Sequence, residues 1–261
     1  MTKPLALVTG ASSGIGEQIA RSLARRGHDL VLVARRKGPM QALAEQLAQQ
    51  HGVRCHVLPQ DLTAPEGVRQ LVAGLDAQGL QPEVLVNNAG LGHIGYHLDN
   101  QWADEQRMID LNMRALTELT HALLPAMKRR GQGRILNVAS TAAFQPGPGM
   151  AVYFASKAYV LSYSEALHHE LAPHGIAVTA LCPGPTQSEF VQVASKARRI
   201  SLADKVPFAS AASVADTAVD ALMRNQAIVV PGLVNKLGVW STRFTPRWLL
   251  RHIVARVFRP V

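Results

Sequence analysis

The chain has 261 residues, 48% of them hydrophobic and 17% charged, with two cysteines; this excludes a disordered, collagen-like or disulfide-stapled protein and leaves room for a large core. Its net charge of +9 belongs to the C-terminus, because seven of the 27 Lys and Arg residues and none of the 18 Asp and Glu residues lie in 224–261.

In chain order, Pro4–Thr9 is an apolar strand too short for the core of a secretory signal, followed by an amphipathic helix over 14–27. Asp29–Ala34 is a continuous apolar run and completes a β-α-β unit. Helices near 38–51, 64–78 and 101–130 alternate with strands near 53–59, at Glu83–Asn87 and at Arg134–Ala139. A helix over 151–173, a strand at Ile176–Cys182, an irregular stretch over 185–211, a helix near 212–225 and a strand at 226–230 follow. Seven strands separated by helices predict a doubly wound α/β fold: a seven-stranded parallel Rossmann-type sheet with helices on both faces. No run of about 18 apolar residues is present, so no membrane span is expected. No repeat or linker divides the chain, so 1–231 is read as the body and 232–261 as an appendage of the same domain.

Thr9-Gly10-Ala11-Ser12-Ser13-Gly14-Ile15-Gly16 joins the first strand to the first helix. Its glycines let the backbone turn tightly and approach a pyrophosphate, while the free N–H groups and dipole of a helix N-terminus attract the anion. The spacing T-G-x-x-x-G-x-G resembles the short-chain dehydrogenase/reductase superfamily, and further motifs match in the family's order. These are Asn87-Asn88-Ala89-Gly90 after the fourth strand, Asn112 in the long helix and Ser140 after the fifth strand. Tyr153-Phe154-Ala155-Ser156-Lys157 opens the next helix, and Pro183-Gly184-Pro185-Thr186 follows the sixth strand. The resemblance covers about residues 4–231.

It implies a nicotinamide dinucleotide held at its phosphates by Gly10, Ser12, Ser13, Gly14, Ile15 and Gly16. An NAD enzyme carries an acidic residue at the end of the second strand to grip the ribose 2′-hydroxyl. Here stand Ala34-Arg35-Arg36, and Arg35 and Arg36 can pair with a 2′-phosphate, so NADP(H) is the expected cofactor. By resemblance Asp61 and Leu62 contact the adenine, with a turn cap as the competing role for Asp61. Asn88, Ala89 and Gly90 would line the ribose and phosphate path, Asn87 would stabilise the sheet, and Pro183, Gly184 and Thr186 would border the nicotinamide.

Tyr153 and Lys157, four residues apart, share a helix face about 6 Å apart along its axis. A tyrosine at its ordinary pKa of about 10 is a poor base at neutral pH, and a neighbouring ammonium favours the tyrosinate. The resemblance implies that Tyr153 exchanges the proton with the substrate oxygen and that Lys157 also binds the nicotinamide ribose. It implies further that Ser140 polarises the carbonyl and that Asn112 belongs to a water-linked relay ending near Lys157. The expected activity is NADP(H)-dependent interconversion of a carbonyl and a primary or secondary alcohol. No side-chain spacing suggests a metal; Cys55 and Cys182 read as reduced thiols of a cytoplasmic protein, and His168-His169 as surface.

Substrate selection is expected in 91–100, where His93 and Tyr96 are candidates, in 141–150, and in 187–211, which resembles the family's mobile lid. Phe144, Pro146, Pro148, Met150 and Phe190 make this lining apolar, which suits an apolar, lipid-like carbonyl or alcohol. A fatty-acid-type 3-oxoacyl-thioester reductase is the alternative within the class; a non-catalytic NADP(H)-binding regulator or membrane-surface adaptor is the alternative outside it. In the tail, residues 249/250, 253/254 and 257/258 share a helical face opposite Arg251, His252, Ala255, Arg256 and Arg259. Such a basic amphipathic helix suits an anionic membrane surface, its own domain or an oligomer interface, and the sequence leaves all three open. No nucleic-acid motif accompanies the charge. The resemblance implies a homodimer or homotetramer, expected in the cytoplasm, with contact to the inner membrane surface left open through 240–259.

Overall fold

The computed structural model describes residues 3–187 and 208–257. Most of the expected lid, Phe190, Phe258 and Arg259 lie outside the described residues. β1 (Leu5–Thr9), β2 (Asp29–Ala34), β3 (Cys55–Pro59), β4 (Val84–Asn87), β5 (Gly133–Val138), β6 (Ile176–Leu181) and β7 (Ile228–Val229) form one parallel sheet. Their spatial order is β3-β2-β1-β4-β5-β6-β7. The helices are α1 (Gly14–Arg25), α2 (Lys37–His51), α3 (Gly67–Ala77), α4 (Trp102–Ile109), α5 (Leu116–Arg130), α6 (Ala151–Leu171) and α7 (Ala211–Met223), followed in the tail by α8 (Leu233–Thr242) and α9 (Arg247–Val257).

The unbroken apolar strand sequences follow from two-sided burial. Ala6, Val8, Leu30 and Leu32 face a layer holding Ile19 and Leu23 of α1, Met40 and Leu47 of α2, and Val219 and Leu222 of α7. Their neighbours Leu7, Val31 and Val33 face the opposite layer, with Leu71 of α3, Leu119 and Leu123 of α5, and Leu167 of α6. Successive side chains point to opposite faces, so both registers must be apolar. The strand order reverses between β1 and β4, and that reversal opens a crevice at the carboxyl ends of the strands.

Two stretches depart from the sequence expectation. The helix expected over 101–130 is α4 and α5 joined by a π-helical turn, Asp110–Ala115, that carries Asn112. Such wide turns are rare and concentrate at functional sites. The tail is two helices rather than one. α9 begins after Pro246, whose ring disfavours helix in the residue before it. Only Leu250 and Val254 of α9 are buried, against Ile94, Ala142, Met150 and Phe154, whereas Leu249 and Ile253 stay exposed. The docked face is therefore narrower than the paired apolar positions suggest. No helix among the described residues is long and apolar enough to cross a membrane.

Candidate active site

The crevice holds a cavity of about 580 Å³ that runs from the glycine-rich turn to α9. Gly10 and Gly14 have φ of +66° and +60°, which other residues rarely adopt. A side chain on Gly10 would place its Cβ 2.6 Å from Asn88 Nδ2, and one on Gly16 would collide with the same amide. That amide is fixed by its bonds: Nδ2 donates to the Thr9 carbonyl at 2.9 Å and the Gly10 carbonyl at 3.3 Å. Thr9 Oγ1 in turn accepts from the N–H groups of Asn88 and Ala89, both at 3.0 Å, and donates to the Val86 carbonyl at 3.1 Å. A clamp of Thr9 and Asn88 thus ties the turn after β1 to the end of β4, across the point where the strand order reverses.

Gly10, Ser12, Ser13, Gly14 and Ile15 line the cavity; Gly16 does not, because it is packed beneath Asn88 and the Gly10 carbonyl. Ser13 precedes α1 without a side-chain cap, so the helix start keeps the free N–H groups that bind anions. Arg36 Nη2 donates to Ser12 Oγ at 3.3 Å and Ser13 Oγ at 3.1 Å, bridging the end of β2 to the turn. Arg35, Asp61, Leu62, Ala89 and Gly90 also line the cavity. One Asp61 oxygen accepts from the Thr63 N–H and hydroxyl, at 2.9 and 2.7 Å. Burial would raise the Asp61 pKa, but these bonds and the charges of Arg35 and Arg107 hold it below the ordinary value. Glycines without room for a side chain, an uncapped helix start and a guanidinium at the turn form an anion cradle that fits a diphosphate-linked cofactor.

Further along the cavity, Ser140 caps the 3₁₀ turn Thr141–Phe144, accepting from the Ala142 N–H at 3.1 Å, and hydrogen-bonds Tyr153. Lys157 is buried, with Nζ donating to the Val138 carbonyl at 2.8 Å and lying 5.8 Å from the centre of the Tyr153 ring. Burial pushes Tyr153 up to about 12, against the pull of the Ser140 bond, and pulls Lys157 down to about 8. The sequence points to an ammonium that favours the tyrosinate; in the structure burial is the largest influence on Tyr153, and the Ser140 hydrogen bond is the one that opposes it. Burial likewise pushes the Cys55 and Cys182 thiols up, to about 11 and about 12, so both are protonated at neutral pH.

Asn112 does not line the cavity. Its Oδ1 accepts from the Leu91 N–H and its Nδ2 donates to the Leu91 carbonyl, both at 2.9 Å, and Nδ2 also donates to Ser156 Oγ at 3.0 Å. Ser156 Oγ donates to the Tyr153 carbonyl at 2.7 Å, so the π-helical turn fixes both the loop after β4 and the first turn of α6. A Cβ on Gly90 would lie 3.3 Å from Asn112 Oδ1 and 3.5 Å from Lys157 Nζ, so both side chains crowd the same face of that glycine. Asn87 bonds Thr120 and Asn137 at 2.9 Å each, and Asn137 bonds Ser164 at 2.9 Å, a buried network bracing the central strands as the sequence suggests.

Pro183, Gly184 and Thr186 line the cavity, with Thr186 Oγ1 donating to the Gly184 carbonyl at 2.9 Å. A side chain on Gly184 would collide with Asn235 of α8, so the tail touches this turn. At the substrate end, the loop after β4 contributes Ile94 to the wall instead of His93 and Tyr96. The Gly95 N–H donates to the Gly149 carbonyl at 2.8 Å, and Tyr96 is left exposed. Met150 lines the wall as expected; Pro146 and Pro148 do not, and Phe144 packs instead beside Ala139 and Val160. Ala142, Phe154 and Val257 complete the apolar wall. Val257 lies one turn beyond Val254, but nothing in the sequence shows that the tail folds back here. His168 is half-buried, its Nδ1 2.7 Å from the Val178 carbonyl, and joins α6 to β6 rather than lying free on the surface.

Residues 4–199 match the short chain dehydrogenase family. Sulfoacetaldehyde reductase 2 of Chromohalobacter salexigens is 38% identical over 191 residues, which are 72% of this chain and 75% of that protein. A short-chain dehydrogenase from Sphingobium yanoikuyae, solved in complex with NADPH, is similar with a TM-score of 0.82 at 35% identity, over 92% of this chain and 93% of that one. The bulky-bulky ketone specific alcohol dehydrogenase from Comamonas testosteroni gives a TM-score of 0.78 at 32% identity, over 94% of each chain.

Proposed function

Because the chain belongs to the short chain dehydrogenase family, and with it to the oxidoreductases of alcohol and carbonyl groups, we propose that it reduces an apolar carbonyl with NADPH. The observation that carries this reading is one cavity lined at one end by Arg35, Arg36 and the anion cradle and at the other by Ser140, Tyr153 and Lys157. The NADPH complex of the Sphingobium relative supports it.

Arg35 and Arg36 pair with the 2′-phosphate, while the start of α1, with Ser12 and Ser13, receives the pyrophosphate. Lys157, held by the Val138 carbonyl, binds the nicotinamide ribose, and Thr186 with the Pro183-Gly184 turn borders the ring. The chemistry that NADPH held by these residues would supply is hydride for the carbonyl carbon. Ser140 donates a hydrogen bond to the carbonyl oxygen and stabilises the charge that grows on it. Tyr153, kept as the phenol by burial, gives that oxygen its proton. Lys157 and Asn112, which meet over the same face of Gly90, connect Tyr153 to a proton source.

The substrate wall of Ile94, Ala142, Met150, Phe154 and Val257 favours a bulky apolar ketone or aldehyde. The Comamonas enzyme, specific for bulky-bulky ketones, supports that class.

Oxidation of NADPH, with NADH in parallel, across aliphatic, aromatic and steroid ketones, 3-oxoacyl thioesters and sulfoacetaldehyde tests the proposal. Turnover of apolar ketones with preference for NADPH is the expected result. Turnover confined to the thioesters would replace the substrate class, and tight NADPH binding with no turnover would favour a regulator.

A further inference from the structure

The tail leaves apolar surface uncovered and surrounds it with one sign of charge. Leu233, Val234, Leu237 and Trp240 recur at helical spacing on α8, each more than half exposed, and α8 buries none of its residues. The ring centres of Trp240 and Phe244 are 4.7 Å apart, so the stripe continues through the bend towards exposed Trp248 on α9. Outside the tail, the only large hydrophobic side chains as exposed among the described residues are Tyr96, Leu98 and Trp102. Lys236, Arg247, Arg251 and Arg256 are exposed on the same two helices and Arg243 on the bend between them, and no acidic residue occurs anywhere in 224–261.

We propose that this face docks on an anionic lipid surface. Indole and phenyl rings suit the boundary between headgroups and acyl chains, and the flanking cations meet the anionic headgroups. Charge selects this occupant. A two-fold contact through the tail would set the same cationic segment, which has no acidic residue, against itself. A nucleic acid would meet the cations but leave most of the leucine and valine stripe in water. The inward side of α9 extends the inference: Leu250 and Val254 pack on Met150 and Phe154, and Val257 lines the cavity. One helix therefore faces the lipid and walls the substrate end of the cavity, so the carbonyl substrate is drawn from the lipid. This last step rests on the reductase reading above.

The docking itself is tested without turnover, by sedimenting the full chain with phosphatidylcholine vesicles with and without phosphatidylglycerol. The expected result is binding only to the anionic vesicles, weakening as salt rises. The R243Q/R247Q double variant should lower the partition constant roughly 25-fold, about fivefold for each charge removed. W240A/W248A should weaken binding as well, and neither pair touches the core. Equal binding to both vesicle types, no binding, or unchanged binding by both variants would overturn the proposal. Dimerisation lost in W240A/W248A would assign the face to a second copy, and tighter capture of a single-stranded oligonucleotide than of vesicles would assign it to nucleic acid. For the substrate step, W240A/W248A should raise KM for a vesicle-borne long-chain ketone and leave KM for a water-soluble ketone unchanged. An equal change in both would overturn that step while leaving the docking result intact.

Discussion

Lys157 holds its ammonium 2.8 Å from the Val138 carbonyl, in a place that water barely reaches, and burial brings its pKa down to about 8 while carrying Tyr153 up to about 12. At neutral pH the pair is therefore phenol and ammonium, the forms that can pass a proton to a carbonyl oxygen. As pH rises through about 8, Lys157 loses its charge before Tyr153 loses its proton, so kcat/KM for reduction should fall along an alkaline limb near 8. A profile flat to pH 10 would remove the charge of Lys157 from the mechanism. Arg36, although exposed, already reaches Ser12 and Ser13. In a fluorescence titration Arg36→Ala should weaken NADPH binding about ten- to hundredfold, the worth of a hydrogen bond between charged groups, and leave NADH binding unchanged. Equal losses for the two cofactors would show that Arg36 shapes the turn and does not read the 2′-phosphate.

Among elements, the glycine-rich turn depends on β4 as much as on its own glycines. Thr9 Oγ1 accepts from two backbone N–H groups and is itself buried, so Thr9→Val would keep the shape and strand the Ala89 donor, while the Asn88 N–H keeps its bond to the Val86 carbonyl at 3.1 Å. The expected loss in a denaturant titration is about 1–3 kcal/mol, with weaker NADPH binding alongside it. Unchanged stability would mean that the clamp contributes nothing. The contact of α9 gives a prediction about specificity. Val257→Trp narrows the substrate end of the cavity and should raise KM for bulky ketones while sparing acetone-sized ones. An equal effect on both would take α9 out of the wall.

For the whole molecule, the sheet and the order of its motifs were legible because each strand is buried on both faces and each motif sits where a strand ends. Val31 and Leu32 point to opposite layers, and an apolar run is what such a strand requires. The π-helical turn at Asn112 was hidden, since one wide turn leaves the apolar periodicity of a long helix nearly intact. Ile94 rather than His93 or Tyr96 enters the cavity because a backbone bond between two loops sets the direction of the segment, and such bonds carry no residue signature. α8 was missed for a different reason: its apolar stripe faces outward, where no core requires it. The claim that joins these scales is that Tyr153 completes carbonyl reduction at the end of a cavity that binds NADPH at the other. Rapid mixing of NADPH-loaded protein with an apolar ketone, followed at the nicotinamide absorbance for wild type and Tyr153→Phe, tests it most directly. Unchanged NADPH affinity with a rate lowered about 10²- to 10⁴-fold in the variant is the predicted result; a variant that reduces the ketone at the wild-type rate would contradict it.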